Sequence, residues 1–149
     1  MGTLAPLYAN VTLVLEIAMG MGLLIGALLA RLRRFRLHAW CQSVIVFLNS
    51  SAIALTMIPS FRLQVIPKIP LRLGKAYYAL ATAHAALGAI TEVAALYILL
   101  AAGTRVLPAA LRITRYKLWM RTVLMLWWVV LLLGLATYGR WYLPNLFPK

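Results

Sequence analysis

The sequence contains very few acidic residues. It has no aspartate, and its two glutamates, Glu16 and Glu92, both lie inside long apolar stretches, whereas lysine and arginine together number 15. The resulting net charge of +13 is not a nucleic-acid signature, because the cations lie almost wholly in the connections between apolar stretches. There they orient a chain in a membrane and contact anionic lipid. We therefore predict no nucleic-acid partner.

Several kinds of site are also missing from the sequence. The single cysteine, Cys41, excludes an internal disulfide and any CxxC metal or redox motif. The sequence contains no nucleophile–base pattern, phosphate-binding loop or zinc motif, so we expect no enzyme activity and no metal site. The N-terminal MGTLAPLYAN has no basic region, and no small-residue cleavage site follows the first apolar stretch. We expect that stretch to be retained rather than removed as a signal peptide.

Apolar residues dominate what remains. They make up 64% of the 149 residues, well above the roughly half that is usual in soluble domains. Four stretches approach or exceed the ~20 residues that a helix needs to span a bilayer. They cover residues 11–30, 39–58, 76–102 and 118–138. The sequence thus predicts an all-α integral membrane protein, with residues 1–149 forming one four-transmembrane-helix bundle.

Local signals suggest where the helices begin and end. Asn10 is a plausible cap of the first helix. Three prolines punctuate the link after the second span, so we expect residues 61–75 not to form a regular helix. Gly103 is a good helix stop, and Pro108 can open a short interfacial helix. In the first span, small residues recur every four positions, which favours close helix contact.

The basic residues predict an orientation. Nine flank the first and third connections, namely Arg31, Arg33, Arg34, Arg36, Arg105, Arg112, Arg115, Lys117 and Arg121. Six lie in the second connection and the C-terminal tail, namely Arg62, Lys68, Arg72, Lys75, Arg140 and Lys149. Because cytoplasmic loops carry the excess of cations, both termini are predicted to lie outside. The first four arginines are predicted to face lipid phosphate or haem propionates.

Ionisable residues inside the spans are the candidate functional residues. Such groups are costly in hydrocarbon and normally face the bundle interior with a partner. His84 and Glu92 lie two helical turns apart in the alanine-rich third span. His84 has two interpretations, a hydrogen bond to a neighbouring helix or the ligation of a haem-like cofactor. Glu16 is either a neutral or paired carboxyl near the interface, or a group that handles protons or neighbours a haem propionate.

The second span carries a polar face. Asn49-Ser50-Ser51 is its most polar point, and it predicts either an interhelical hydrogen-bond cluster or a pocket for a ligand headgroup. His38 starts the same span, but it cannot share one iron with His84 in a single chain. At 1.5 Å per residue and a ~30 Å core, the two imidazoles are roughly 15–20 Å apart along the membrane normal.

Five short motifs occur in order along the chain from Arg31 onward. They read RLRRFRLHAWCQ, MIPSF, YYALATAHAALGAI, RITRYKLWMR and GLATYGRWY. In this order the chain resembles the CtaM/YozB-like four-helix membrane proteins of the domain-of-unknown-function family 420. The resemblance implies a respiratory-membrane protein that takes part in the maturation of haem–copper oxidases, with His38 and His84 among the candidate ligands. Two further histidines of the family pattern are absent, at residues 57–59 and 112–117, so the resemblance does not carry over a complete metal site.

These observations lead to one preferred function and two alternatives. We expect a non-enzymatic accessory or assembly protein of a respiratory or photosynthetic electron-transfer complex in a prokaryotic inner, or cytoplasmic, membrane. Its partners would be the lipid bilayer and other subunits of that complex. A haem-like cofactor would lie near His84, with His38 and Glu92 as the other candidate binding residues. The alternatives are a haem- or quinone-binding electron carrier, completed by histidines from two copies, and a purely structural subunit.

Overall fold

The computed structural model describes residues 5–72, 74–104, 106–112 and 114–143. Within these residues the chain forms α-helices and no strand, which confirms the predicted all-α class. The helices are α1 (Leu7–Arg31), α2 (Phe35–Ala52), α3 (Ile58–Gln64), α4 (Ile69–Arg72), α5 (Ala76–Gly103) and α6 (Tyr116–Tyr142). Arg105 and Lys149, which enter the count of basic residues, lie outside the described residues.

Four helical stretches are long and apolar enough to cross a membrane. They are Leu7–Arg31, Phe35–Lys68, Tyr78–Gly103 and Tyr116–Tyr142. Only 22% to 28% of the most apolar part of each stretch is buried within the protein, so most of these apolar side chains face outward. The first, second and fourth predicted spans lie inside these stretches, and the third, 76–102, lies inside α5.

Each of the four long helices, α1, α2, α5 and α6, packs against two of the others. α1 lies against α2 and α6, and α5 lies against α6 and α2. The hydroxyl of Tyr138 near the end of α6 donates to Asn10 at the start of α1. Gln64 at the end of α3 donates to the Tyr8 hydroxyl, at 3.2 Å. The α1–α2 and α5–α6 connections therefore lie together at the opposite end, where the core is apolar. Its buried residues are Met19, Leu23, Ile45, Val46, Ala95, Ile98, Ala101, Val123 and Trp127.

Small residues of α1 bring its backbone close to α2, as their four-residue spacing predicts. A Cβ atom on Gly26 would lie 2.2 Å from Nε2 of Gln42, and one on Gly22 would lie 2.9 Å from Cδ1 of Ile45. The Cys41 thiol donates to the Gly22 carbonyl at 3.4 Å. Close approach of the backbones lets helices associate in lipid, where no hydrophobic driving force brings them together.

A wide helical turn joins α2 to α3. Residues Ile53–Met57 form a π-helical turn, in which the Ile58 amide bonds to the Ile53 carbonyl five residues earlier. Pro59 has no amide hydrogen for the carbonyl of Leu55, and the wider turn accommodates that loss. The expectation that residues 61–75 do not form a regular helix was wrong for residues 61–64, which belong to α3, because proline is tolerated in the first turn of a helix. α3 carries the chain on to Gln64, and helix resumes after Val65.

The ends of α1 and α5 follow from a proline and a glycine. Asn10 does not cap α1, since the cap is Pro6, whose carbonyl accepts the Ala9 amide at 2.9 Å. Proline has a backbone angle preset for this position, so the helix begins one turn earlier than predicted. α5 does end at Gly103, as predicted. After Pro108 the chain forms only a short 3₁₀ turn, Ala109–Leu111.

Candidate functional site

Glu92 joins α5 to α2 through both of its carboxyl oxygens. The Asn49 side-chain amide donates to Oε2 at 2.7 Å, and the Ser50 hydroxyl donates to Oε1. Glu92 is 7% exposed and Asn49 is 9% exposed. A buried polar group must have a hydrogen-bond partner or its desolvation is uncompensated. The hydrogen-bond interpretation of Asn49-Ser50-Ser51 is confirmed for its first two residues, and Ser51 instead donates to Phe47 of its own helix.

His84 joins α5 to α6. Its Nδ1 atom lies 3.0 Å from the carbonyl oxygen of Val130. A carbonyl only accepts, so Nδ1 carries the hydrogen, and in the neutral ring Nε2 is then an acceptor. The hydrogen-bond interpretation of His84 is thus confirmed. The same bond leaves Nε2 available, as in metal-binding histidines whose other nitrogen donates to a carbonyl.

A glycine makes room for the His84 ring. A Cβ atom built on Gly134 of α6 would lie 3.0 Å from Cε1 of the imidazole and 3.4 Å from Nδ1. The 3.0 Å separation is tighter than ordinary van der Waals contact, so the ring would have to shift by a few tenths of an ångström to admit a side chain at position 134. No spacing rule in the sequence pointed to Gly134, because a lone glycine in an apolar span has no periodic partner.

His38 lies in a different part of the molecule. Its Nδ1 atom lies 2.8 Å from the carbonyl oxygen of Gly26, so it joins α2 to α1 near their connection. It is half-buried, beside four exposed arginines, Arg31, Arg33, Arg34 and Arg36. His38 and His84 contact different helices and line no common pocket. Among the described residues, no group of three or more histidine, cysteine, aspartate or glutamate residues is placed to hold a metal ion.

Two pockets meet at Glu16 and His84. The Tyr8 pocket, of about 160 Å³, lies between the start of α1, the π-helical turn and the end of α6; it is lined by residues that include Tyr8, Thr12, Glu16, Thr56, Met57, His84, Gly134 and Tyr138. The Asn49 pocket, of about 190 Å³, lies deeper and is lined by residues that include Glu16, Asn49, Ile53, Met57, His84, Gly88, Thr91 and Trp127. Glu16, Met57 and His84 line both pockets. Glu92 lines neither.

Glu16 was not among the candidate binding residues, yet in the structure it lines both pockets. One of its carboxyl oxygens, Oε1, is buried and has no hydrogen-bond partner among the described residues. The sequence placed Glu92 in the cofactor site and left Glu16 with two open interpretations. In the structure Glu92 has partners on both oxygens, whereas Glu16 lies beside His84 at the junction of the pockets. A buried acceptor without a donor is uncommon, and it indicates a site where a ligand or water belongs.

A haem does not fit the residues of a single chain. His38 and His84 lie apart, so they cannot provide two axial ligands to one iron. The pockets, about 160 and 190 Å³, are below the roughly 300–1,000 Å³ of sites for drug-sized ligands, and a haem macrocycle is larger still. No step of the chemistry is therefore assigned to a haem inside this chain.

Comparison of the chain with known protein families, curated proteins and solved structures gives no match.

Proposed function

We propose that this protein is a non-enzymatic accessory protein of a membrane electron-transfer complex, in which it spans the bilayer as a four-helix bundle. The observation that carries the proposal is the junction of Glu16 and His84 between two internal pockets. An ionisable group in the interior of an apolar helical protein is costly in a membrane, so it marks a candidate functional site. The resemblance to oxidase-maturation proteins supports an electron-transfer complex as the partner.

The outward-facing apolar surface supports the membrane location. Residues such as Leu55 (76% exposed), Phe47 (71%) and Val93 (67%) face outward on the long helices. An apolar surface of this extent must be covered by lipid or by other subunits. The cationic end, with the exposed arginines of the α1–α2 connection, is proposed to face the cytoplasm and contact anionic lipid phosphate. This orientation places both termini outside, and we propose a prokaryotic cytoplasmic membrane as the location.

Affinity purification tests the proposal. The full chain, with an affinity tag, is purified from its native membrane in a mild detergent, and the co-purifying proteins are identified by mass analysis. We expect subunits of a terminal oxidase or another electron-transfer complex to be enriched over an unrelated four-helix membrane protein that carries the same tag. Enrichment of no such subunit would overturn the proposal.

The second candidate function is an electron carrier in its own right. The bond from His84 to Val130 favours it, because this bond orients the imidazole in the manner of a ligating histidine. Absorption spectra of the isolated chain, oxidised and reduced, separate the two functions. A Soret band that disappears in His84→Ala would favour a haem shared between two copies. The accessory function predicts no band in the isolated chain.

A further inference from the structure

We infer that the Glu16–His84 junction is a binding site for a single aromatic ring that carries hydroxyl groups, the chemistry of a hydroquinone headgroup. This inference deepens the proposed function, since it names the ligand class that the accessory protein would hold or shield. It concerns binding alone and includes no oxidation step.

The hydrogen-bonding character of the junction selects the ligand class. Glu16 Oε1 is a buried carboxyl oxygen that has no hydrogen-bond partner in the part of the chain that the structure describes. His84 donates through Nδ1 to Val130, so its second nitrogen is an acceptor in the neutral ring. A ligand that brings hydrogen-bond donors satisfies both of these atoms, which line the same pockets. A hydroquinone brings two hydroxyl donors, whereas a quinone has only acceptors.

The size of the pockets selects one ring. Each pocket holds about 160 to 190 Å³. An engineered cavity of about 150 Å³ in another protein accommodates one benzene molecule. Each pocket therefore has room for one six-membered ring and not for a fused or macrocyclic system. The π-helical turn contributes to this room, since Ile53, Thr56 and Met57 all belong to it and line the pockets.

The lining of the Tyr8 pocket suits a ring that enters from the end of the bundle. Its wall carries four aromatic residues, Tyr8, Tyr138, Trp141 and Tyr142. Aromatic walls pack well against an aromatic ligand. Tyrosine and tryptophan are also enriched at the headgroup level of a membrane, where an amphiphilic ligand partitions. The Tyr8 pocket is thus the way in, and the acceptors lie at its inner end.

Calorimetric titration of the purified full chain in detergent tests the inference. The probe is a decyl-substituted p-hydroquinone, kept reduced, and the comparison ligand is its dimethyl ether, which has the same ring and tail but no hydroxyl donors. We expect saturable 1:1 binding of the hydroquinone and at least about tenfold weaker binding of the ether, because a site that bonds hydroxyl groups discriminates strongly against ligands without them. Equal binding of both ligands, or no saturable binding of the hydroquinone, would overturn the inference.

Two variants locate the site. Glu16→Leu keeps the approximate shape but removes the acceptor, and we expect it to weaken hydroquinone binding at least about tenfold. Ser51→Ala is the control, since Ser51 bonds within its own helix and lines neither pocket. An unchanged affinity in Glu16→Leu would contradict the assigned site. If Glu16→Leu does not fold, the ether comparison on the unmodified chain still decides.

The outcome of the calorimetric titration is independent of the outcome of the affinity purification. If electron-transfer subunits co-purify but the ether binds as well as the hydroquinone, the ligand class is wrong and the accessory function stands. If the hydroquinone binds selectively but no such subunit co-purifies, the site stands and the accessory function fails.

Discussion

Removal of the Asn49–Glu92 hydrogen bond tests whether the polar cluster between α2 and α5 holds these helices together. Asn49→Leu, Glu92→Leu and the double variant form a double-mutant cycle, in which leucine keeps the approximate size of each side chain. Each single substitution leaves a buried polar group of the other helix without its partner. We expect each to lower the free energy of unfolding by about 1–3 kcal/mol.

The double variant gives the coupling energy between Asn49 and Glu92. It pairs two apolar groups, so its loss should be smaller than the sum of the single losses. Interhelical hydrogen bonds in a membrane protein have given coupling energies of about 0.6 kcal/mol on average and up to about 1.7 kcal/mol. We expect a value near the upper end of that range, because both Asn49 and Glu92 are buried and their bond is 2.7 Å long.

The assay is reversible unfolding in mixed micelles, by titration with a denaturing detergent and detection of helix loss. Ser51→Ala is the matched control, because its hydroxyl bonds within α2, and we expect a change of less than about 0.5 kcal/mol. A coupling energy indistinguishable from zero would refute the reasoning that Glu92 serves to pack helices.

Glycine substitutions give the remaining predictions. Gly134→Ala should displace the His84 ring and weaken hydroquinone binding. Gly88→Ala in the Asn49 pocket should be tolerated, since its Cβ would meet its nearest neighbour at an ordinary 3.5 Å. Calorimetric titration of both variants checks this, and equal hydroquinone affinity in the two variants would contradict it. Gly26→Leu should force α1 from α2 and lower the free energy of unfolding by about 1–3 kcal/mol or more. Gly103→Ala should change the free energy of unfolding little, since no described residue lies within 4 Å of a Cβ built there. An equal loss in both variants would refute the close-packing account.

The four long helices could be predicted from the sequence because their signal is local. Long apolar runs and the basic connections between them mark the spans without any knowledge of the neighbours. Gly103 marked a helix end correctly for the same reason. The cap at Pro6 and the continuation through Pro59 were missed, because proline both breaks helices and begins them, and the choice depends on the turn around it.

The sequence indicates that the interior polar residues bond to other helices, but it does not indicate which residues are their partners. Asn49 and Ser50 suggested an interhelical cluster, but the bond to Glu92 depends on how α2 and α5 are aligned, and a single sequence does not encode that alignment locally. The same limit applies to Glu16. It lines the same pockets as His84 because α1 packs against α6, the helix to which His84 of α5 is bonded, and no spacing within α1 or α5 indicates this.

The central claim is that the two glutamates have different roles, with Glu92 holding helices together and Glu16 kept for a ligand. The most direct test compares Glu92→Leu with Glu16→Leu in the same unfolding assay, without added ligand. We predict that Glu92→Leu lowers the free energy of unfolding by about 1–3 kcal/mol, since two donors lose their acceptor. Glu16→Leu should leave it unchanged or raise it, since the buried Oε1 has no partner to lose among the described residues. Equal destabilisation by both substitutions would contradict this division of roles.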